Sequence, residues 1–129
     1  MSDFQHLSPA TIPAPFSRYS QGVVAPGSAR WLHISGQVGI ALDGVPPDSF
    51  EEQARNAWRN LFGVLEAAGM GAANLVKVTA FITQPGDVAR YRSVRDSMLG
   101  EVKTASTLVV VSGLADPRWL IEIEAVAAG

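Results

Sequence analysis

The segment Trp119-Leu-Ile-Glu-Ile-Glu-Ala-Val-Ala127 constrains the fold more than any other, because it keeps a period of two along its length. Successive side chains of a strand point to opposite faces, so Ile121, Ile123, Ala125 and Ala127 share one face, and Leu120, Glu122, Glu124 and Val126 share the other. The isoleucine face must meet a core. The two acids on the reverse face are either solvated or line a cleft or subunit interface, where burial makes a carboxylate chemically useful.

The rest of the chain supplies what such a strand packs with. Residues 1–18 carry Pro13 and Pro15 with little periodicity and read as an irregular lead-in to a single domain spanning 1–129. Tyr19 to Val24 and Arg30 to Ser35 read as short strands joined at Ala25-Pro-Gly-Ser28, forming a meander, with extended chain continuing from Gly36 to Leu42. Asp48 or Ser49 can cap a helix in which Phe50, Ala54, Ala57, Trp58, Leu61, Leu65 and Ala68 recur at helical spacing, and Gly69 stops it. From Leu75 to Thr83 the pattern alternates again, with Val76, Val78, Ala80 and Ile82 facing one way and Lys77, Thr79 and Thr83 the other. Asp87 can cap a second helix with Val88, Tyr91, Val94, Met98 and Leu99 as its apolar stripe, closed by Gly100. Strands over Ser106–Ser112 and Trp119–Ala127 complete the order. One helix layer on one face of a mixed sheet is the economical arrangement, and it leaves the other face in need of a partner.

Composition narrows the function classes. A length of 129 residues is one domain, and 47% hydrophobic against 17% charged residues leaves more apolar surface than a small monomer hides, which predicts an oligomer. The net charge of -2, with no basic stripe, argues against nucleic acid as a partner. Zero cysteines exclude disulfides, thiolate nucleophiles and iron–sulfur or zinc–thiolate sites, and suit a cytoplasmic location. No basic segment followed by an apolar run opens the chain, and no stretch approaches the roughly 18 apolar residues of a membrane span, so neither secretion nor membrane insertion is expected. Two distant histidines, His6 and His33, make no metal site, and Gly69-Met-Gly71 is no phosphate loop, so neither a metal nor a nucleotide cofactor is expected. His33 alternates with Trp31 and Ser35 and should share their face.

Five motifs in order, Tyr19-Ser-Gln-Gly22, Ile34-Ser-Gly-Gln37, Leu65-Glu-Ala-Ala-Gly69, Val76-Lys-Val-Thr79 and Ile121-Glu-Ile-Glu-Ala-Val-Ala127, resemble the Rid superfamily, the reactive intermediate deaminases also called the YjgF or UK114 family. The resemblance runs nearly end to end. It implies an α+β, chorismate-mutase-like fold: a mixed sheet with two helices on one face, assembled as a homotrimer around a central barrel with clefts between subunits. By the same resemblance Glu122 is the acid that positions or activates water in the cleft, Tyr19 and Ser35 are further cleft residues, and the backbone at Gly36 is the ligand-binding turn. Without it, Tyr19 reads as an interface aromatic and Ser35 as a hydroxyl satisfying nearby backbone.

One departure bears on activity. Deaminases of the family carry Pro-Ala-Arg-Ser at the start of the penultimate strand, and its arginine clamps the substrate carboxylate. Here Thr104-Ala-Ser-Thr107 aligns with it, so Ser106 stands at the arginine position and Thr107 beside it, both as implied substrate-binding positions. A serine offers one weak donor where a carboxylate wants two charge-assisted bonds. Arg92, on the second helix opposite Val88 and Val94, is the candidate replacement. Its alternative is a solvated helix arginine in company with Arg90 and Arg95; Lys103 and Arg118 are weaker candidates in loops. The resemblance then implies binding of a small anionic metabolite in an intersubunit cleft, with hydrolysis of an imine or enamine to a carbonyl compound and ammonia. The alternative is a divergent member without 2-iminopropanoate deaminase activity, acting on another substrate or only binding a ligand. A ribonuclease or translation inhibitor, a reading also attached to the family, fits this acidic chain least.

Overall fold

The computed structural model of the protein describes residues 4–129. Its strands are β1 (Gln5–Leu7), β2 (Gly22–Val24), β3 (Trp31–Val38), β4 (Leu75–Ile82), β5 (Ala105–Val110) and β6 (Ile121–Ala128); its helices are α1 (Phe50–Ala67) and α2 (Val88–Leu99). Four strands form one sheet in the order β3-β6-β4-β5, and both helices pack on one face of it. This is the α+β arrangement of two helices on a mixed sheet that the sequence leads one to expect.

β6 is last in sequence yet lies inside the sheet, antiparallel to both β3 and β4. Its alternation explains that position. Ile121, Ile123, Ala125 and Ala127 are buried under the helices, where they meet Ile34 from β3 and Val78, Ala80 and Ile82 from β4. β4 and β5 run parallel, as two strands can when a helix, here α2, carries the chain back between them.

The helices follow their sequence signals. Ser49, rather than Asp48, caps α1, its side chain accepting from the Glu52 amide at 3.2 Å. Gly69 ends it in the left-handed region at φ 72° and Gly100 ends α2 at φ 61°, conformations that cost other residues a steric penalty. Trp58, Leu61 and Leu65 of α1 face Tyr91 and Val94 of α2 across the core. Asp87 stands at the start of α2 but does not cap it with its side chain; the carboxylate takes Arg90 Nη1 at 3.1 Å instead.

Three expectations are corrected. The meander does not form: β2 pairs with β1, so the lead-in expected to be irregular contains a strand, while residues 1–3 of it lie outside the described residues. The reason is length, since the eight-residue β3 finds a full-length partner in the eight-residue β6 and a three-residue β2 offers little. β3 stops at Val38 rather than extending to Leu42. Val76 does not join Val78 in the core, because the register against β6 shifts between Leu75 and Lys77 and the extra residue resets the parity, leaving Leu75 buried and Val76 half-buried. No helix among the described residues is long and apolar enough to cross a membrane.

A buried polar side chain ties α1 to both ends of this framework. Gln53 Nε2 donates to the carbonyls of Pro47 at 2.8 Å and Arg118 at 3.0 Å, and its Oε1 accepts from the Leu120 amide at 2.9 Å. It thereby fixes the loop that delivers the chain into β6. Gln53→Leu is expected to destabilise the protein by about 2–4 kcal/mol, since each polar group orphaned away from water costs about 1–3 kcal/mol. The midpoint of urea unfolding measures this; an unchanged midpoint would remove Gln53 from that role.

Candidate functional site

The uncovered face of the sheet holds the first group of candidate residues. Glu122 projects there from β6, flanked by Val38 of β3 and Phe81 of β4 in the ladder, and is half-buried, whereas Glu124 is exposed. The two acids of the alternating strand are therefore not equivalent. The difference comes from a bulge in β3, where register against β6 shifts between Ile34 and Gln37 and leaves Ser35 and Gly36 outside the regular ladder. The Glu122 carboxylate lies over Gly36 so closely that a Cβ at that position would collide with it. Gly36 is thus required as space, and its backbone forms the floor beneath the acid. Ser35 stands beside it, exposed, with its carbonyl accepting from Gln37 Nε2 at 3.0 Å. His33 is exposed on this face with Trp31, as their alternation requires.

The second group lies at the edge of the sheet, on the helix side. A groove of about 240 Å³ runs between β5, α2 and the chain leading into β2. Tyr19 and Ser17 form one wall, Tyr91, Arg92 and Arg95 of α2 the other, and Ser106 to Leu108 the floor. No acid lines it. Tyr19 is held by the Phe16 amide, which donates to its hydroxyl at 3.3 Å. Along β5, Ser106 pairs in register with Val78 and so faces the helices, while Thr107 pairs with Thr79 and points to the open face, where its hydroxyl receives Lys77 Nζ. Partial burial holds the Lys77 ammonium below its ordinary value.

The arginines sort themselves by partner. Arg18, Arg30, Arg55, Arg59, Arg90, Arg95 and Arg118 each make a hydrogen bond or ion pair; among the described residues Arg92 alone makes none. Arg118, one of the weaker clamp candidates, is fully engaged with Asp116, whose carboxyl is pulled below its ordinary value by hydrogen bonds from the Arg118 side chain and amide. Lys103 lies outside the groove, in a neighbouring surface hollow beside His6.

Of the seven candidate positions, Tyr19, Arg92 and Ser106 come together in the groove, Thr107 lines it while its side chain points to the open face, and Ser35, Gly36 and Glu122 come together over the bulge. Within one chain the halves do not meet. The sheet itself lies between them, with Arg92 on the helix side and Glu122 on the other, and β6 is two strand spacings, roughly 10 Å, from β5. Arg95 and Tyr91 are groove residues that the sequence reading missed. In sequence Arg95 looks like a solvated helix arginine, yet its side chain is 4% exposed. The signal available was its spacing, four residues beyond Tyr91 on the apolar stripe.

A fold with two helices on a mixed sheet, its final strand inside and an acid seated over a glycine bulge, defines an α+β protein of the chorismate-mutase-like class. The family described as Endoribonuclease L-PSP matches residues 10–129, and the chain belongs to that family, within the Rid superfamily. It is 32% identical over 124 residues to a 2-iminobutanoate/2-iminopropanoate deaminase of Bos taurus, covering 94% of this chain and 87% of that one. Among solved structures it resembles a conserved Rid family protein of unknown function from Yersinia pestis, with a TM-score of 0.84 at 28% identity, covering 97% and 98% of the two chains. It also resembles TdcF of E. coli with bound serine, with a TM-score of 0.72 at 28% identity over 97% and 98% of the chains.

Tyr91 gives the groove a neutral wall. Burial pushes its phenol well above the ordinary value; Arg95 pulls the other way and Asp96 reinforces the rise. In the unfolded chain the phenol ionises near 10.0, while the buried one keeps its proton, so the unfolded state is favoured as pH climbs past that value. The wild type should lose about 1.4 kcal/mol of stability per pH unit above the ordinary phenol value beyond what Tyr91→Phe loses. Urea unfolding of both proteins from pH 8 upward checks this; parallel pH profiles would contradict it.

Proposed function

We propose that the chain forms a homotrimer in which the groove of one subunit faces the Glu122 bulge of the next, and that the completed cleft hydrolyses a small imine or enamine to a carbonyl compound and ammonia. The observation that carries this reading is the Glu122 carboxylate, half-buried over the backbone of Gly36 on the face of the sheet opposite the helices. That face also exposes Trp31, 52% accessible, and Val109, 37% accessible, apolar surface that an assembly would cover. The relative named as a 2-iminobutanoate/2-iminopropanoate deaminase supports the reaction class, and the neighbour holding serine supports a ligand of amino-acid size. The cysteine-free composition suits the cytoplasm, where we place the protein.

The chemistry needs few groups. Glu122 accepts a proton from water as the oxygen bonds to the C=N carbon; the π electrons pass to nitrogen, which takes a proton. The resulting carbinolamine then collapses, the C–N bond breaking as the nitrogen leaves protonated and the oxygen loses its proton to give the carbonyl. An enamine enters by protonation at carbon. Ser35 and the Gly36 amide orient the substrate, Tyr19 closes the cleft, and Arg92, the arginine without a protein partner among the described residues, holds the carboxylate beside Ser106, with the Thr107 side chain on the opposite face of its strand.

A second reading is favoured by Ser106, which supplies no guanidinium where the deaminases carry one: the site then binds or turns over something other than 2-iminopropanoate. The nuclease reading in the family's description receives less support from an acidic chain and a groove of about 240 Å³.

Ammonia release from 2-iminopropanoate, generated in place by an amino-acid oxidase, tests the proposal. Glu122→Ala should lower the rate by about 100-fold or more, the range of general acid–base catalysis. Wild-type activity in that variant would overturn the assignment. No activity in the wild type, with activity gained by Ser106→Arg, would select the second reading.

A further inference from the structure

The groove holds a second guanidinium that the proposed reaction leaves unused. Arg95 is almost wholly buried, with a side chain 4% exposed, and yet it lines the groove with Arg92. Its bonds account for only part of its donor set. Nε and Nη2 both reach Asp96 Oδ1, at 3.1 and 3.0 Å, and Nη2 also reaches Ser17 Oγ at 3.4 Å. Among the described residues nothing accepts from Nη1, although a guanidinium carries five N–H groups in a fixed fork.

Charge points the same way. Asp96 is shared, since Arg18 Nη2 approaches its other oxygen at 3.9 Å. One carboxylate therefore serves two guanidiniums, and among the described residues Arg92 has no partner and no acid lines the groove. A buried cation that is only half neutralised is costly unless an anion completes it.

We infer that the groove is built for a dicarboxylate, with Arg92 holding the carboxylate next to the reacting carbon and Arg95 Nη1 holding a second carboxylate at the far end. The two arginines stand one helical turn apart, with Cβ atoms about 5–6 Å from each other, roughly the span between the carboxyl carbons of an extended five-carbon diacid. Ser106 fits this account, because a short side chain on the floor leaves room that an arginine there would fill. Asp96 and Ser17 fix the Arg95 plane in advance, so little ordering is lost when the ligand arrives. The inference deepens the proposed function by naming a substrate class, and it rests on the same groove.

Calorimetric titration of the intact protein with pyruvate and with 2-oxoglutarate tests it without requiring turnover. 2-Oxoglutarate should bind at least tenfold more tightly than pyruvate. Arg95→Lys, whose single ammonium is committed to Asp96, should lower the affinity for 2-oxoglutarate far more than that for pyruvate and so lose most of that preference. A wild type that binds 2-oxoglutarate no more tightly than pyruvate, or not at all, overturns the inference, and this ratio decides even if the variant fails to fold. A preference undiminished in Arg95→Lys overturns the role of Arg95. Dicarboxylate selectivity in a protein that releases no ammonia would leave the inference standing and reject the deaminase chemistry alone.

Discussion

The antiparallel pairing of β6 on both of its edges is the interaction on which the rest of the structure depends. Strands β3 and β4 are both antiparallel to it and never touch each other, so the sheet is closed only when the last strand inserts between them. One face of that strand anchors the helices through Ile121, Ile123 and Ala125; the other presents Glu122 to the uncovered side. Fold and chemistry are thus two faces of one segment, and a slip of a single residue would exchange them. The clamp made by Gln53 at the entrance to β6 guards against that slip by fixing the Leu120 amide.

A second constraint organises the groove. The lead-in chain could lie anywhere along the edge strand, but Arg18 donates to the Gly100 carbonyl at 2.9 Å and Arg95 reaches Ser17, so α2 and the chain before β2 are stitched around Asp96. Ser20 completes the stitching: its amide donates to the Thr104 carbonyl at 3.1 Å and its hydroxyl to the Lys103 carbonyl. Tyr19, between these anchors, is held at the groove by them and by the Phe16 amide on its hydroxyl. The exposed Arg18 pair contributes little stability by itself, while the buried Arg95 carries the positional information.

Much of this was legible in the sequence, and the illegible parts share a cause. The parity of β6, the extents of both helices, Ser49 among the possible caps and the stop glycines all follow from local periodicity and local chemistry. The bulges at Ser35-Gly36 and Val76 do not, because a register shift is a property of two strands and is invisible in either alone. The β1–β2 pair escaped for the same reason, each strand being three residues long and meaningful only against the other. Arg95 escaped because a basic residue next to Asp96 in sequence looks like a solvated pair; burial of the guanidinium depends on Ser17, 78 residues away. The candidate site residues come from family motifs, and their division into two groups on opposite sides of the sheet required the fold.

That division makes the central claim testable with two inactive proteins. If each cleft takes Glu122 from one subunit and Arg92 from its neighbour, Glu122→Ala and Arg92→Gln chains refolded together should recover ammonia release, at about a quarter of the wild-type rate for random assembly of a cyclic oligomer. Recovery on that scale is what the account predicts; a mixture as inactive as its two components would contradict it.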